Sequence, residues 1–444
     1  MVNYIKNRLS GWGLNKKELC KINYFNENIP LEDLLKTKLI ARGLGRSYGD
    51  SSYQKKMTID MTRHNKIISF DKGKGILVVQ SGISINSLLE KIVKHGWFLP
   101  VTPGSKFVTV GGMVASNVHG KNHHNDGGIS NFIRKIEIID RYQKLTTCSY
   151  RKNRALFIST IGGMGLTGII TSVTIKLLKI ESSLIYQKKK YTQSLKETMN
   201  IFEKNKSKYS VAWVNFNCRE KRLGSSVIFL GEHVKNKDLK KNNIIKKTDF
   251  KKRRRITIPF IPSFSIFNYF SISIFNFIYS NFQKLKTESF VEIDDYFYPL
   301  DNINYWNRLY GRNGFIQYQF VLPKKYSYKG LKEIFDYLIS QKSIPFLPVL
   351  KYFSKEDIGL LSFPMKGYTL AMDFPDTKKI RKILNYLDKI VMNYDGRIYL
   401  TKDSRISKKN FEAMYKDKLK KFKQNKYLML KLFSSSQSDR LFKG

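Results

Sequence analysis

The clearest periodic stretch of the chain runs from residue 84 to 95. Apolar side chains at Ile85, Leu88, Leu89, Ile92 and Val93 recur at helical spacing, and Gly96 follows as a stop. Just before it, the β-branched run GILVVQSG at 75–82 predicts a strand. Residues 136–140 and 165–178 read as further strands. Past about residue 182 glycine thins out and the pattern changes. Residues 186–189 and 211–216 predict strands, and 195–206 predicts a helix whose start Ser194 and Glu197 are spaced to cap. Strands near 317–321, 345–350 and 368–374 alternate with helices at 328–340 and 377–392. There is no internal repeat.

One stretch breaks this order. The run KKRRR at 251–255 is followed by residues 256–283, which carry no charged side chain. Phe, Ile and Tyr dominate, but Ser and Asn recur, and Pro259 and Pro262 interrupt the start. A membrane-spanning helix needs about 20 predominantly apolar residues, so the interruptions argue against a clean span. Two readings stand: a buried or lid segment of a second domain, or an interfacial segment with aromatics among lipid headgroups and the basic run on anionic lipid.

Composition sharpens the picture in three ways. The 444 residues, 42% hydrophobic and 14% aromatic, suffice for two folded domains with their own cores. The formal net charge of +45 predicts attraction to polyanions: anionic lipid surfaces, phosphorylated substrates or nucleic acid. The chain carries no nucleic-acid module and no Cys/His zinc spacing, so nucleic acid is not expected as a partner. Cys20, Cys148 and Cys218 have no paired spacing, which points to a reducing compartment without a disulfide framework. The N-terminal residues lack a secretory apolar core. The expected location is cytoplasmic, at the inner face of the cytoplasmic membrane.

Two glycine-rich segments carry the candidate chemistry. In ARGLGRSYGD at 41–50, Gly43, Gly45 and Gly49 let the backbone turn tightly and present its N–H groups. Arg42 and Arg46 add charge, so the loop reads as a phosphate or pyrophosphate cradle. Its GxGxxxG spacing, with no helix after it, is neither the dinucleotide fingerprint nor a Walker loop. The second segment, 103–124, holds Gly104, Gly111, Gly112 and Gly120. Small residues at Ala115 and Ser116 leave room for something flat. His119, His123 and His124 fall within it. A metal site competes for them, but only Asp126 stands nearby to complete one, and no metal is expected.

Seven segments share a wider pattern. They are SGWG at 10–13, the cradle loop, FLPVTPGSKFVTVGGMVASNVHGKNHH at 98–124, IGGMGLTGIITSVTIKL at 161–177, FYPLDNINYWNRLYG at 297–311, GFIQYQFVLP at 314–323 and YLTKDSR at 399–405. In this order they resemble the vanillyl-alcohol-oxidase-type flavoproteins, and within them the sugar oxidases of polyprenyl-phosphoryl ribose. The resemblance implies an α+β fold of two domains. Residues 1–182 would begin a PCMH-type FAD-binding domain, 183–396 would form an antiparallel-sheet substrate-binding cap, and 397–444 would return to complete the first domain. It implies FAD as cofactor. By carry-over, Ala41, Arg42, Gly43, Leu44, Gly45, Arg46, Ser47, Tyr48, Gly49, Asp50 and Ser51 would hold the pyrophosphate. Gly104, Thr109, Val110, Gly111, Gly112, Ser116, Asn117, Val118 and His119 would follow the flavin, Ile170 would meet the adenosine half, and Tyr399 and Lys402 the ring system. On the substrate side the resemblance implies Tyr48, His119, Lys121, Gln317, Gln319, Lys351 and Lys402.

Flavin-dependent oxidation of an alcohol needs a hydride acceptor, a base for the hydroxyl proton and positive charge beside the flavin's pyrimidine edge. Lys402 fits the last by resemblance. For the base, His119 has a suitable unperturbed pKa, with Tyr48 and Lys402 as rivals; Lys351 or Lys121 could bind a substrate phosphate. Some relatives link FAD through a histidine in the cradle. Arg46 stands there, so FAD is expected to be noncovalent. Ala371 replaces the cysteine of the mycobacterial sugar oxidases, and Thr369 an asparagine, so the pocket wall differs. The implied reaction is oxidation of the 2'-hydroxyl of polyprenyl-phosphoryl-β-D-ribose to a keto sugar. A separate short-chain reductase would complete epimerisation toward arabinose for cell-envelope glycan. The alternatives are an oxidase of a soluble sugar, alditol or aldonolactone and, from another class, a non-catalytic basic protein that binds membrane or nucleic acid.

Overall fold

The computed structural model describes residues 4–26, 36–216, 223–243, 250, 254–284 and 286–443. Cys218 and the first three residues of the basic run, Lys251, Lys252 and Arg253, lie outside the described residues.

The first periodic stretch folds as its pattern demands. A helix forms over Ile85–Ile92, and the Ser84 hydroxyl caps it by accepting the Ser87 N–H at 3.0 Å. One tighter turn, Val93–His95, continues it to Gly96, whose φ of 74° ends it. Ile85, Leu88, Leu89 and Ile92 are buried against a five-stranded antiparallel sheet. The strand order is Ile67–Asp71, Ile76–Gln80, Ile169–Lys176, Ile133–Ile139, Leu145–Cys148. A four-stranded sheet lies beside it, built from the hairpin Ile5–Ser10 and Lys17–Tyr24 and the short strands Thr58–Asp60 and Ile40–Arg42. Ile40–Arg42 is its edge strand and hands the chain straight to the cradle loop.

A third sheet has eight strands, all antiparallel and all drawn from between Leu184 and Ile398. Alternation assigns its two faces. On Phe315–Pro323, Ile316, Tyr318, Phe320 and Leu322 point one way; on Gly367–Pro375, Tyr368, Leu370, Met372 and Phe374 do the same. This face packs on the helices Lys324–Ser340 and Lys378–Asn393 through Leu331, Ile334, Phe335, Leu384 and Leu387. Each such side chain contributes roughly 1.5–3 kcal/mol on burial. The other face presents Gln317, Gln319, Thr369, Ala371 and Asp373. Leu195–Lys204 forms the helix predicted at 195–206. Ser194 accepts the Glu197 N–H at 3.2 Å, while the Glu197 carboxylate takes the N–H of Gln193 rather than that of Ser194.

Residues 256–283 are not a buried segment. Ile256–Thr257 pairs with Ile303–Asn304, and a helix spans Tyr269–Lys284. Ile272 and Asn276 are buried, but Phe260, Phe264, Phe270 and Phe277 are 68%, 76%, 73% and 69% exposed. The helix is apolar on several sides. The flank carrying Phe275 seats against Phe346, which stacks in turn on Phe267, and the apolar residues of the other side stay in solvent.

After the edge strand Arg397–Ile398 the chain turns at Tyr399 and runs back to the cradle. The Tyr48 N–H donates to the Thr401 carbonyl at 3.0 Å, and Leu39 and Phe433 form a parallel bridge. Two buried carboxylates seal the join. Arg440 reaches Asp50 at 2.8 Å and Asp403 at 2.9 Å, with the two carboxylate side chains 1% and 2% exposed. Burial alone would raise the Asp403 carboxyl, but Arg440 and the N–H groups of Ile406 and Arg405 outweigh it and hold it below the usual range. Its contribution to stability is therefore present above the ordinary carboxylate range and lost as pH falls through its depressed folded value. Replacing Arg440 by Ala leaves the buried Asp403 without its cation and Asp50 with only Lys16, at 3.4 Å. The expected loss is about 3–5 kcal/mol in chemical denaturation at neutral pH; a loss below about 1 kcal/mol, the value of an exposed pair, would show that the join does not depend on this cluster.

Candidate active site

The cradle loop, the segment after residue 103 and the polar face of the eight-stranded sheet enclose one cavity of about 340 Å³. Its wall on the cradle side is made by absent side chains. A Cβ on Gly43 would strike the Thr109 hydroxyl and one on Gly111 would meet Ser81, whereas Gly104 has open space in front of it. The Thr109 hydroxyl caps the short helix Val110–Ala115, accepting the Gly112 N–H at 3.3 Å. The N–H groups of Leu44, Gly45, Arg46 and Ser47 find no acceptor among the described residues. The hydroxyls of Ser47 and Ser81 line the cavity, buried and without a partner. A row of unanswered donors around a glycine floor suits a phosphorylated, flat cofactor, as a dinucleotide is.

The opposite wall follows from strand register. Gln319 lies across from Ala371, Gln317 from Asp373, and Lys351 from Thr369, so these side chains share one face over the cavity. Val349 and Lys351 come from the neighbouring strand Phe346–Phe353. Lys402 is delivered by the return turn. That turn is tied to the cap strand by the Tyr399 N–H on the Gln319 carbonyl at 2.9 Å, and to the cradle by the bond from Tyr48 to Thr401. The Lys402 ammonium stands 3.8 Å from the centre of the Tyr48 ring. Tyr399 donates its hydroxyl to the Ser116 carbonyl at 2.9 Å and stacks on Phe363 at 4.6 Å.

Charge is crowded here. Burial lowers Lys351 to about 8. Burial, and then Lys351, lowers Lys402, with Asp373 partly opposing. Burial, then Lys351, His123 and Lys402, hold His119 well below the usual imidazole value. His119 is therefore neutral at pH 7. With the Gln319 amide donating to His119 Nε2 at 3.1 Å, its hydrogen sits on Nδ1, which is buried without a partner. Tyr48 is pushed well above its ordinary value by burial and then by Asp373, so it stays a phenol.

Most residues expected from the sequence line this cavity: Ala41 to Tyr48, Ser51, Gly104, Thr109, Gly111, Gly112, Ser116, Val118, His119, Ile170, Gln317, Gln319, Lys351, Tyr399 and Lys402. Five do not. Gly49 is closed by the Asp403 carbonyl, which would strike any Cβ there. Asp50 is held by Arg440 and Lys16. Val110 is 1% exposed in the core. Asn117 adopts a φ of 38° at the end of the short helix and donates to Ser362 at 3.0 Å. Lys121 bonds the Tyr296 carbonyl and stands 4.3 Å from the Tyr296 ring centre; burial, then Lys351, lowers it to about 7. Arg42 does line the cavity, but its guanidinium is spent on the Ser10 carbonyl and Ser52 hydroxyl, both at 2.9 Å. The three clustered histidines also part company. His119 meets Gln319, His123 meets Asp357 at 3.3 Å, and His124 meets the Ser207 carbonyl at 2.9 Å.

Sequence reasoning missed Trp12, Asp301, Thr401 and Asp373. Trp12 lines the cavity with the Arg46 guanidinium 3.8 Å from its ring centre, and Asp301 accepts the Ser105 hydroxyl and the Lys106 N–H at 2.9 and 2.7 Å. Asp373 had a signal. It alternates with Thr369 and Ala371, so period two already placed it on the cavity face.

Comparison with known proteins agrees with this geometry. Residues 33–149 match the FAD binding domain family. The chain is 33% identical to the decaprenylphosphoryl-β-D-ribose oxidase of Mycolicibacterium smegmatis over 385 residues, 85% of this chain and 83% of that protein. Shorter matches are to a D-lactate dehydrogenase of Anaerostipes hadrus, 33% identical over 29% of this chain and 28% of that one, and to the L-gulonolactone oxidase of Mus musculus, 27% identical over 30% of each.

Proposed function

Because the chain belongs to the FAD-linked oxidase family that includes decaprenylphosphoryl-β-D-ribose oxidase, we propose that it oxidises the 2'-hydroxyl of a polyprenyl-phosphoryl-β-D-ribose to a keto sugar. It is an FAD-dependent oxidoreductase acting on a sugar hydroxyl. The observation that carries the finer reading is the polar end of the cavity. Gln317, Gln319, Lys351 and Lys402 form a set of donors suited to a multiply hydroxylated, anionic substrate, opposite a cradle that fits the cofactor's phosphates.

Bound FAD supplies the two-electron acceptor. The protein's part is to bind, orient and move one proton. The glutamine amides fix sugar hydroxyls, and Lys351 offers a positive charge. Lys402 is the base. Its amine is partly neutral near pH 7, so it takes the hydroxyl proton as the carbonyl forms. His119 serves the site differently. An imidazolium is opposed by burial and two lysines, so it acts as a fixed neutral donor through Nδ1. Arg46 offers no atom that could bond covalently to the cofactor's ring system, which supports noncovalent FAD.

The lipid half has its own support. Arg46, which lines the cavity, and Arg255 lie 5.3 and 4.4 Å from the centre of the same Phe107 ring, and Arg255 leads directly into the exposed apolar segment. Exposed apolar surface on this scale marks a binding surface. We read it as the place where the enzyme rests on an anionic membrane and takes up the polyprenyl chain, on the inner face. Among the described residues no helix is long and apolar enough to cross a membrane. The keto product calls for a hydride donor to reduce it again, which a separate short-chain reductase would supply on the way to arabinose in envelope glycan.

The decisive experiment is an anaerobic titration of the purified holoenzyme with a short-chain polyprenyl-phosphoryl ribose, followed by flavin absorbance. Stoichiometric bleaching is expected; a spectrum that ribose lipid leaves intact but a free aldonolactone bleaches would move the substrate to the soluble class. Acid precipitation should leave all flavin in the supernatant, and a yellow pellet would contradict noncovalent binding. Changing Phe260, Phe264, Phe270 and Phe277 together to Ser should cut co-sedimentation with phosphatidylglycerol vesicles by at least about tenfold, since each Phe buried in lipid is worth roughly 1.5–3 kcal/mol. Equal sedimentation of the variant would rule the segment out as the membrane contact.

A further inference from the structure

Asp373 is a buried acid set directly behind Gln317 of the cavity wall, and nothing above gives it work. It sits on the cavity-facing side of Gly367–Pro375, 2% exposed, directly across the strand pair from Gln317. The Gln317 amide donates to its Oδ1 at 2.6 Å. Among the described residues it forms no ion pair, and Gln317 is its side-chain donor. Around it stand Lys402 on the return turn, the Tyr48 phenol on the cradle and the Tyr310 phenol, whose buried hydroxyl has no partner. Lys402 in turn faces Asp373, Lys351, Tyr48 and His119.

A carboxyl buried without a contacting cation is expensive to ionise, and such a group persists in a protein chiefly where its charge is used. We propose that Asp373 is a positioning residue that governs the charge of Lys402: the carboxylate supports the ammonium that forms when Lys402 takes the substrate's hydroxyl proton. This rests on the reading of Lys402 as the base. The O–H bond breaks and its proton goes to Lys402 Nζ, while the hydride leaves the adjacent carbon for the two-electron acceptor and a C=O bond forms. A neutral amine becomes an ammonium between Lys351, which opposes it, and Asp373, which favours it. Both Asp373 and Lys402 are shifted by burial toward their uncharged forms, the carboxyl upward and the amine downward, so the two together hold at most about one proton near neutral pH; the acting state is the one without it, a carboxylate beside a free amine, and the substrate's hydroxyl proton is the one the pair then holds.

The test reads Lys402 directly and kinetically. In the FAD-loaded enzyme, competitive acetylation with acetic anhydride followed by mass spectrometry gives the pH at which Lys402 loses its proton. Asp373→Asn should lower that pH by about one unit, the low end of the effect of a neighbouring opposite charge. The acidic limb of the pH profile for flavin reduction should move down by the same amount. Lys351→Met, which removes the opposing charge, should move both the other way. Should Asp373→Asn fail to hold FAD, Gln317→Met weakens the ionised carboxylate without removing it and should shift the labelling in the same direction as Asp373→Asn. A labelling profile unchanged in every variant would overturn the proposal. Because acetylation needs no substrate, a wrong sugar leaves this result standing. Labelling that shifts while the kinetic limb does not would reject Lys402 as the base, and with it the role given to Asp373.

Discussion

The site exists only because two stretches some 350 residues apart in sequence are locked edge to edge. Arg440 sits between Asp50 of the cradle and Asp403 of the return turn, and the backbone bond from Tyr48 to Thr401 runs beside it. A guanidinium matches two carboxylates with fixed donor geometry, which a lysine could not do. Buried charges of this kind add little net stability against an apolar alternative, but they tolerate only one arrangement. That is what the cavity needs. Lys402 lies one residue from Asp403, and Tyr48 lies two from Asp50. A small slip between the segments would separate the lysine from the ring over which it stands.

The electrostatics of the cavity follow from what the chain buries there. Lys351, Lys402 and His119 face one small volume with Asp373 as the neighbouring acid. Burial and mutual repulsion drive the bases toward neutrality. The result divides the labour among groups that look alike in sequence. In the function we propose, this takes His119, whose ordinary pKa suits a base, out of that role and brings Lys402, whose ordinary pKa is far too high, into range. Tyr48, raised by the same burial, is left to hold the lysine against its ring.

Most of the framework was legible in the sequence because it follows from local period. The helices and strands named from spacing are present, with ends displaced by a few residues, and the cavity lining follows from the glycine segments and the alternation in QYQ and in TLAMD. What could not be read was which side of a residue the rest of the chain would approach. Gly49 and Asp50 sit inside the cradle motif, yet they serve the return segment, because the partner that claims them comes from residues 403 and 440. Asn117 and Lys121 likewise flank His119 in sequence but turn away from the cavity, one into a left-handed kink and the other onto the Tyr296 carbonyl. Asp373 was readable by period two, but only after the strand's inward face was known.

Residues 256–283 show the opposite limit. An uncharged run predicts burial when a chain has one interior to offer, and periodicity cannot say whose interior it is. The seated flank of the helix is filled by Ile272, Phe275 and Asn276; Phe270, Phe277 and Ile278 then have no protein surface left to meet among the described residues. Water is a poor solvent for such a surface, costing about 25 cal/mol for each Å² left exposed. The segment is anchored at residues 303–311, next to Asp301 and Trp306 of the cavity wall, so whatever covers it lies near the site. On the reading we propose, an apolar cover beside a cationic edge and a polar interior would take, in order, the lipid tail, phosphate and sugar of one amphipathic substrate. On that same reading a soluble sugar would reach only the innermost of the three, and the exposed phenylalanines would need another cover.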